Sequence, residues 1–171
     1  NFKDGWIFMT ALFLPIFILG IFLLIKAPDL LKNRLDGKEK EKTQKGVVGA
    51  SALIFIIGFV LSGLDYRFGW TRLHISVSIA ASVGFLLSYL LYAEVMRENA
   101  YLSRTIEVQE GQKVVDTGLY GIVRHPMYMA TTLLFLMIPL ILGSLISFIL
   151  FLVLPLLLTI RIKNEEKVLL N

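Results

Sequence analysis

Apolar residues in this chain fall in long blocks rather than alternating with charged ones, which is the pattern of membrane helices and not of amphipathic surface helices. Residues 5–25 are a run of 21 without a charge, long enough to cross roughly 30 Å of hydrocarbon at about 1.5 Å per residue. Residues 47–64 form a second block, with Gly49, Ser51, Gly58, Ser62 and Gly63 available for close helix packing. Residues 73–93 form a third, with Tyr89 and Tyr92 near its end. Residues 126–142 and 144–160 are 17 each, separated by Gly143; each would span only about 25 Å, the short end of the range. The tight Gly143-Ser144 break predicts that these two form a helical hairpin that need not cross fully. Pro139 and Pro155 are expected to kink its arms. The expected fold is therefore an all-α integral membrane protein of about five transmembrane helices. The last two form a hairpin, and a short polar cytoplasmic segment serves as a lid. Residues 1–171 read as a single membrane domain. Residues 161–171 form a C-terminal cytoplasmic segment that is expected to continue beyond Asn171, where the pattern is still helical.

Composition agrees with this class. Hydrophobic residues make up 56% of the chain and the mean hydropathy is +0.74, too apolar for an ordinary soluble domain of this length. No secretory signal pattern fits the first block, because it lacks a basic leader and a small-residue cleavage site. Cysteine is absent, which excludes disulfides, thiolate metal ligands and a cysteine nucleophile; no metal site is expected.

The net charge of +4 sits in the connecting segments, so it reports orientation and not nucleic-acid binding. Lys26, Lys32, Arg34, Lys38, Lys40, Lys42 and Lys45 place the first loop in the cytoplasm. The loop 65–72 carries only Arg67 and Arg72, with Tyr66 and Trp70 at the interface, and is expected outside. The N-terminus is then outside and the C-terminus cytoplasmic. Asp36, Glu39 and Glu41 interleave with the lysines of the first loop, which reads as a solvated loop. Between residues 94 and 124 the chain is polar, with an alternating stretch at 104–108 and turn signals at Glu110-Gly111 and Asp116-Thr117-Gly118. An extended or hairpin element lying over the cytoplasmic end of the bundle is expected there. Glu94, Arg97, Glu98 and His74 read as interfacial or structural.

Chemistry concentrates in two short stretches flanking the predicted hairpin. The first, GLYGIVRHPMY (118–128), holds Tyr120, Arg124, His125 and Tyr128; the second, RIKNEE (161–166), holds Arg161, Glu165 and Glu166. Ionisable residues at a membrane helix end are costly without partners or a task. Pro126 suits a first helical position and places His125 at the N-cap, where unpaired backbone N–H groups attract anions. Arg161 and Glu165 share a helix face, and alone they would be an ordinary i,i+4 pair. The hairpin, however, returns residue 161 to the depth of residue 126, with helices about 8–10 Å apart, so both stretches can line one small-molecule pocket.

The joint pattern G-x-Y-x-x-x-R-H-P-x-Y, then R-x-x-x-E-E after a hydrophobic hairpin, resembles the isoprenylcysteine carboxyl methyltransferase family and, more distantly, the phospholipid methyltransferases. The resemblance covers about residues 104–169. It implies S-adenosylmethionine as cofactor, with contacts falling on Thr105, Gln112, Lys113, Val114, Val115, Tyr120, His125, Pro126, Met127, Tyr128 and Glu165. It places the substrate-carboxylate arginine at Arg161, so that Arg161 and Glu165 are the candidate catalytic pair. Tyr120 and Tyr128 can offer aromatic surface to a sulfonium. No G-x-G-x-x-G is present, so the dinucleotide-type methyltransferase fold is not expected. The implied activity is methyl transfer to a lipophilic acceptor, either the carboxylate of a prenylcysteine-like substrate or a lipid headgroup. The membrane lipid is then the expected partner, and no nucleic acid is expected. Two other readings fit the same helical layout: an NADPH-dependent membrane reductase of sterol-reductase type, and a non-enzymatic membrane assembly subunit.

Overall fold

A computed structural model describes residues 3–35, 42–71, 73–99 and 115–169, and every regular element among them is helical. Seven α-helices run α1 (Lys3–Lys26), α2 (Pro28–Leu35), α3 (Lys42–Phe68), α4 (Ile75–Glu98), α5 (Pro126–Ile141), α6 (Leu145–Phe151) and α7 (Val153–Leu169), with a 3-10 turn at Gly118–Gly121 before α5. Among the described residues, four stretches are long and apolar enough to cross a membrane: Gly5–Lys26, Thr43–Phe68, Ile75–Glu98 and Leu145–Lys167. The protein is a multi-pass membrane protein.

The helix ends follow local chemistry. α1 stops at Lys26 because Pro28 disfavours helical geometry at Ala27. The same proline opens α2, whose Asp29 and Lys32/Arg34 lie at the ends that the helix dipole favours. α3 ends on Gly69, at φ +66°, whose N–H reaches back to the Asp65 carbonyl at 2.7 Å. His74 caps α4 through Nδ1, which accepts the Ser76 N–H.

The α5–α6 turn has Gly143 at φ +74°, and Ser144 caps α6 by accepting the Ser147 N–H at 3.2 Å. The expected kink at Pro155 is a break at Leu152, which separates α6 from α7. Proline brings no N–H for the Phe151 carbonyl, and its ring crowds that carbonyl. Pro139, by contrast, lies within an unbroken α5.

The arms of the hairpin are unequal. α5 has 16 residues, about 24 Å of rise, below spanning length. The returning arm runs on to Leu169, because RIKNEEK consists mostly of good helix formers. Helix also continues through Lys42–Lys45 in α3 and Glu94–Glu98 in α4, past the apolar blocks 47–64 and 73–93. Glu94, Arg97 and Glu98 thus belong to a helix end, with Arg97 paired to Glu94 at 2.6 Å. The expected extended element at 104–108 lies outside the described residues.

α4 packs broadly on α5, α1 lies against α4, and α3 packs against both α6 and α7. Phe85, Leu134, Ile141, Phe151 and Leu154 are almost wholly enclosed at the centre. Phe55 meets Phe135 and Phe151 edge-on, with ring centres 4.8 and 5.1 Å apart. Gly58 permits this, since a Cβ there would lie 2.2 Å from the Phe151 ring. Large apolar side chains such as Phe17, Val60, Leu90 and Leu156 face outward, a surface suited to lipid tails and not to water. A second cluster of Leu23, Leu30 and Met96, joined by Tyr92 and Met127, fastens α2 to the ends of α4 and α5.

The hairpin tip is braced by a buried acid. Asp65, 1% exposed, accepts the Thr71 N–H at 2.6 Å, the Thr71 hydroxyl, and the Ser144 hydroxyl at 2.6 Å. It thereby joins the end of α3, the α3–α4 loop and the turn into α6. Removing the carboxylate strands these donors, and hydrogen bonds to charged groups are each worth about 1.5–3 kcal/mol. Asp65→Ala is expected to lower stability by roughly 3 kcal/mol, read as a clear drop in the thermal unfolding midpoint in detergent; an unchanged midpoint would show that the brace does not hold the turn.

Candidate functional site

The end of the bundle opposite Asp65 gathers the polar residues of six elements. Pro126 starts α5 as its N1 residue and is buried, leaving His125 as the N-cap with non-helical backbone. The His125 side chain does not cap its own helix. Its Nε2 meets Glu166 Oε1 of α7 at 3.0 Å. One turn into α5, the Tyr128 hydroxyl donates to Glu165 Oε2 at 2.5 Å and accepts from Arg161 Nε at 3.2 Å. The His125 and Tyr128 rings lie 5.9 Å apart. The return of α7 alongside α5 thus brings the two polar stretches into contact, and Tyr128 links Arg161 to Glu165 through a single oxygen.

The 3-10 turn supplies the next wall. Glu98, at the end of α4, accepts the Leu119 N–H at 2.9 Å, and Asn99 donates to the Tyr120 hydroxyl at 3.0 Å. Gly118 has φ +53°, and a Cβ there would stand 1.4 Å from a Glu98 oxygen. Glycine at this point of the motif is therefore required twice, by backbone and by space. Burial pushes the Tyr120 hydroxyl above the usual phenol range; nearby Glu165 and Glu98 add to this, while Asn99 and Arg34 oppose it. Tyr120 is accordingly a neutral donor at pH 7, and with Asn99 donating to its oxygen, its own proton is directed elsewhere.

Two contributors come from the first half of the chain. Arg34 of α2 donates to the Tyr92 hydroxyl and lies 5.6 Å from the centre of that ring, a cation–π distance. Gln44, in the first turn of α3, is wholly buried and donates through Nε2 to the Arg161 carbonyl at 3.3 Å. Its Oε1 has no hydrogen-bond partner, and neither has the buried Nδ2 of Asn164. An unpaired buried polar atom costs about 1–3 kcal/mol.

Of the residues singled out in sequence, Tyr120, His125, Tyr128, Arg161, Glu165 and Glu166 meet at this end. Pro126 is structural to the turn, and Met127 packs into the cluster of Leu23, Leu30 and Met96. Val115 leads into the 3-10 turn without a regular element. Thr105, Gln112, Lys113 and Val114 lie outside the described residues. The Arg124 side chain is 89% exposed and 3.6 Å from Glu166, an ion pair of small energetic value.

Arg34, Gln44, Asn99 and Asn164 carried no signal in sequence. Arg34, Gln44 and Asn99 are common polar residues at helix ends whose partners lie on other elements, and Asn164 lies inside α7 with its buried Nδ2 unpaired. No group of three or more metal-ligating side chains occurs among the described residues. A cavity of about 480 Å³ at the far end is bordered by Asp65, Arg67 and Thr71.

The sequence profile of the phospholipid methyltransferase family matches residues 74–171. The chain belongs to this family. The match spans α4 to α7, and so includes the 3-10 turn and both polar stretches. Comparison with curated proteins and with solved structures returned no match for either. Membership of the phospholipid methyltransferase family makes methyl transfer, and not hydride transfer, the chemistry to test against this geometry. Of the two contributors from the first half of the chain, Arg34 and Gln44, neither lies in the matched residues.

Gly118→Ala is expected to displace Glu98 from the Leu119 N–H and shift Tyr120. The checks are a lowered unfolding midpoint and, for nucleoside binding, an affinity loss of tenfold or more. Wild-type affinity in this variant would exclude the turn from the site.

Proposed function

We propose that the protein transfers a methyl group from S-adenosylmethionine to a lipophilic acceptor, at the end of the bundle built by Tyr120, His125, Tyr128, Arg161 and Glu165. The single observation that carries this reading is the contact of the two polar stretches through Tyr128, inside residues matched by a methyltransferase family. The donor set fits the cofactor: aromatic surface from Tyr120 and Tyr128 for a sulfonium, carboxylates at Glu98 and Glu165 for amino or hydroxyl groups, and a directed hydroxyl proton on Tyr120. When bound, the cofactor supplies an electrophilic methyl whose bond to sulfur breaks as the acceptor attacks in line.

The protein's part in such a displacement is alignment and exclusion of water. Arg161, in reach of Tyr128, suits the anionic part of an acceptor arriving from the bilayer. Family membership favours a lipid headgroup amine as acceptor, and the motif's likeness to isoprenylcysteine carboxyl methyltransferases makes a prenylcysteine carboxylate the other candidate. A carboxylate needs no base. An amine must lose a proton, and His125 is the candidate base: with Nε2 held by Glu166, Nδ1 is the ring nitrogen left to accept it. The distribution of lysine and arginine over the loops supports an orientation with this end in the cytoplasm, and with it a single membrane domain drawing its acceptor from the inner leaflet.

Isothermal titration of detergent-purified protein with S-adenosylhomocysteine is expected to show saturable binding, weakened tenfold or more in Tyr120→Ala and in His125→Ala. Absence of binding by the wild type would overturn the reading.

The two ends of the Tyr128 link should separate in kinetics. Arg161→Lys loses the planar guanidinium and is expected to raise the acceptor KM or lower kcat with cofactor affinity nearly unchanged. Glu165→Gln is expected to weaken the cofactor first. Equal loss of cofactor affinity in both variants would reduce Arg161 to a support for Glu165 through Tyr128.

A further inference from the structure

S-adenosylmethionine carries charge at three places, and the site described above answers two of them. Tyr120 and Tyr128 suit the sulfonium, and Glu98 and Glu165 suit the ammonium of the methionyl group. The α-carboxylate requires a cation of its own, because an anion taken out of water without a charged partner is costly. Among the described side chains, every lysine and arginine is exposed except Arg34 and Arg161. Arg161 reaches toward α5 through Tyr128, where the anionic part of the acceptor is assigned. Arg34 is the other.

Local packing sets where Arg34 points. Leu30, one turn earlier on the same face of α2, is buried against Leu23 and Met96. That seat turns Arg34 to α4, where it donates to the Tyr92 hydroxyl with its guanidinium 5.6 Å from the ring centre. Tyr92 also packs with Met127, in the first turn of α5. Asn99 follows Tyr92 by about two helical turns, so the two share a side of α4, and Asn99 holds the Tyr120 hydroxyl at 3.0 Å. Arg34 and Tyr120 thus lie along the same side of α4, beside the start of α5. Beyond burial, which is the largest effect, and the Asn99 bond, the Tyr120 hydroxyl feels charge of both signs. Glu165 and Glu98 raise its pKa, and Arg34 lowers it. Acidic and basic groups around one donating hydroxyl complement an α-amino acid, whose ammonium and carboxylate are fixed on one carbon. A guanidinium presents five donors in a planar fork and can serve a phenol and a carboxylate together.

We propose that Arg34 of α2 binds the α-carboxylate of the cofactor's methionyl group, with Glu98 and Glu165 left for its ammonium. This rests on the methyltransferase reading above and deepens it: the ligand class at Arg34 is an α-amino carboxylate joined to a nucleoside. α2 lies outside the residues that match the phospholipid methyltransferase family, so the first half of the chain contributes to cofactor binding. An arginine stacked on a tyrosine can also serve only to anchor a helix at the headgroups. That role predicts no dependence on the ligand's carboxylate.

Isothermal titration in detergent compares wild type, Arg34→Gln, Arg34→Lys and Arg161→Gln with a pair of probes. These are S-adenosylhomocysteine and S-adenosyl-3-thiopropylamine, the same molecule without its carboxylate. Wild type is expected to bind the first about tenfold or more tightly than the second. Arg34→Gln is expected to lose about tenfold or more in affinity for S-adenosylhomocysteine and less than about twofold for the amine, so that the preference disappears. Arg34→Lys keeps the charge without the fork and is expected to fall between. Equal loss for both probes in Arg34→Gln makes Arg34 a structural support and overturns the assignment. A preference that survives in Arg34→Gln but disappears in Arg161→Gln overturns it as well, because Arg161 then holds the carboxylate. If Arg34→Gln does not fold, Arg34→Lys decides, and a preference unchanged from wild type overturns the proposal. Wild type that binds both probes alike fails the Arg34 assignment and leaves the methyltransferase reading standing. Wild type that binds neither fails that reading, and the assignment with it.

Discussion

The site depends on one constraint, that α7 must come back alongside α5 at the depth where α5 begins. Arg161 and Glu165 are 33 and 37 residues from Tyr128 in sequence, and only an antiparallel return brings them to one hydroxyl. Gly143, in a backbone region open to glycine at little cost, makes the reversal, and Ser144 begins the return as the cap of α6. Asp65 then fixes that turn to the end of α3. The far end of the molecule is thus braced where the near end must be accurate. The break before Pro155 falls between them, in the returning arm.

The arrangement also divides labour between polar and apolar contacts. In a membrane, burial of apolar surface gives little preference for one helix neighbour over another, because lipid tails are as apolar as leucine. Specific packing at Gly58 against Phe151 and hydrogen bonds across helices then set the partners. Ser147 donates to the Gly58 carbonyl at 2.9 Å, and Ser78 reaches the Leu140 carbonyl at 3.4 Å. These small-residue contacts hold α3 to α6 and α4 to α5. Around the site, Leu30, Met96 and Met127 perform the corresponding role, so that α2 and Arg34 lie against Tyr92.

Family membership and geometry answer different questions. The matched residues 74–171 identify methyl transfer as the class of chemistry, and they contain the polar contacts of Tyr120, His125 and Tyr128. The wall contributed by α2 and α3 lies outside the match.

Much of the fold and of the site was legible in the amino-acid sequence. Block hydrophobicity determines the helical membrane class, since in lipid every backbone polar group must be satisfied within its own helix or barrel. Pro126 after His125 determines the start of α5, because its ring fixes φ, and Gly143 determines the turn, because glycine enters positive φ at little cost. The motif itself placed Tyr120, His125, Tyr128, Arg161 and Glu165 in one region. Helix ends were less legible: residues 42–46, 94–98 and 161–169 are charged, and a charged segment continues a helix or leaves it according to what it meets at the membrane surface. Tertiary structure alone decided the pairings. That Glu166 meets His125 while Glu165 meets Tyr128 is a matter of helix rotation, which adjacent identical residues cannot reveal. That Gln44 reaches the Arg161 carbonyl, and Arg34 reaches Tyr92, follows from which helices lie side by side, and a single amide or guanidinium has no periodicity from which that could be read.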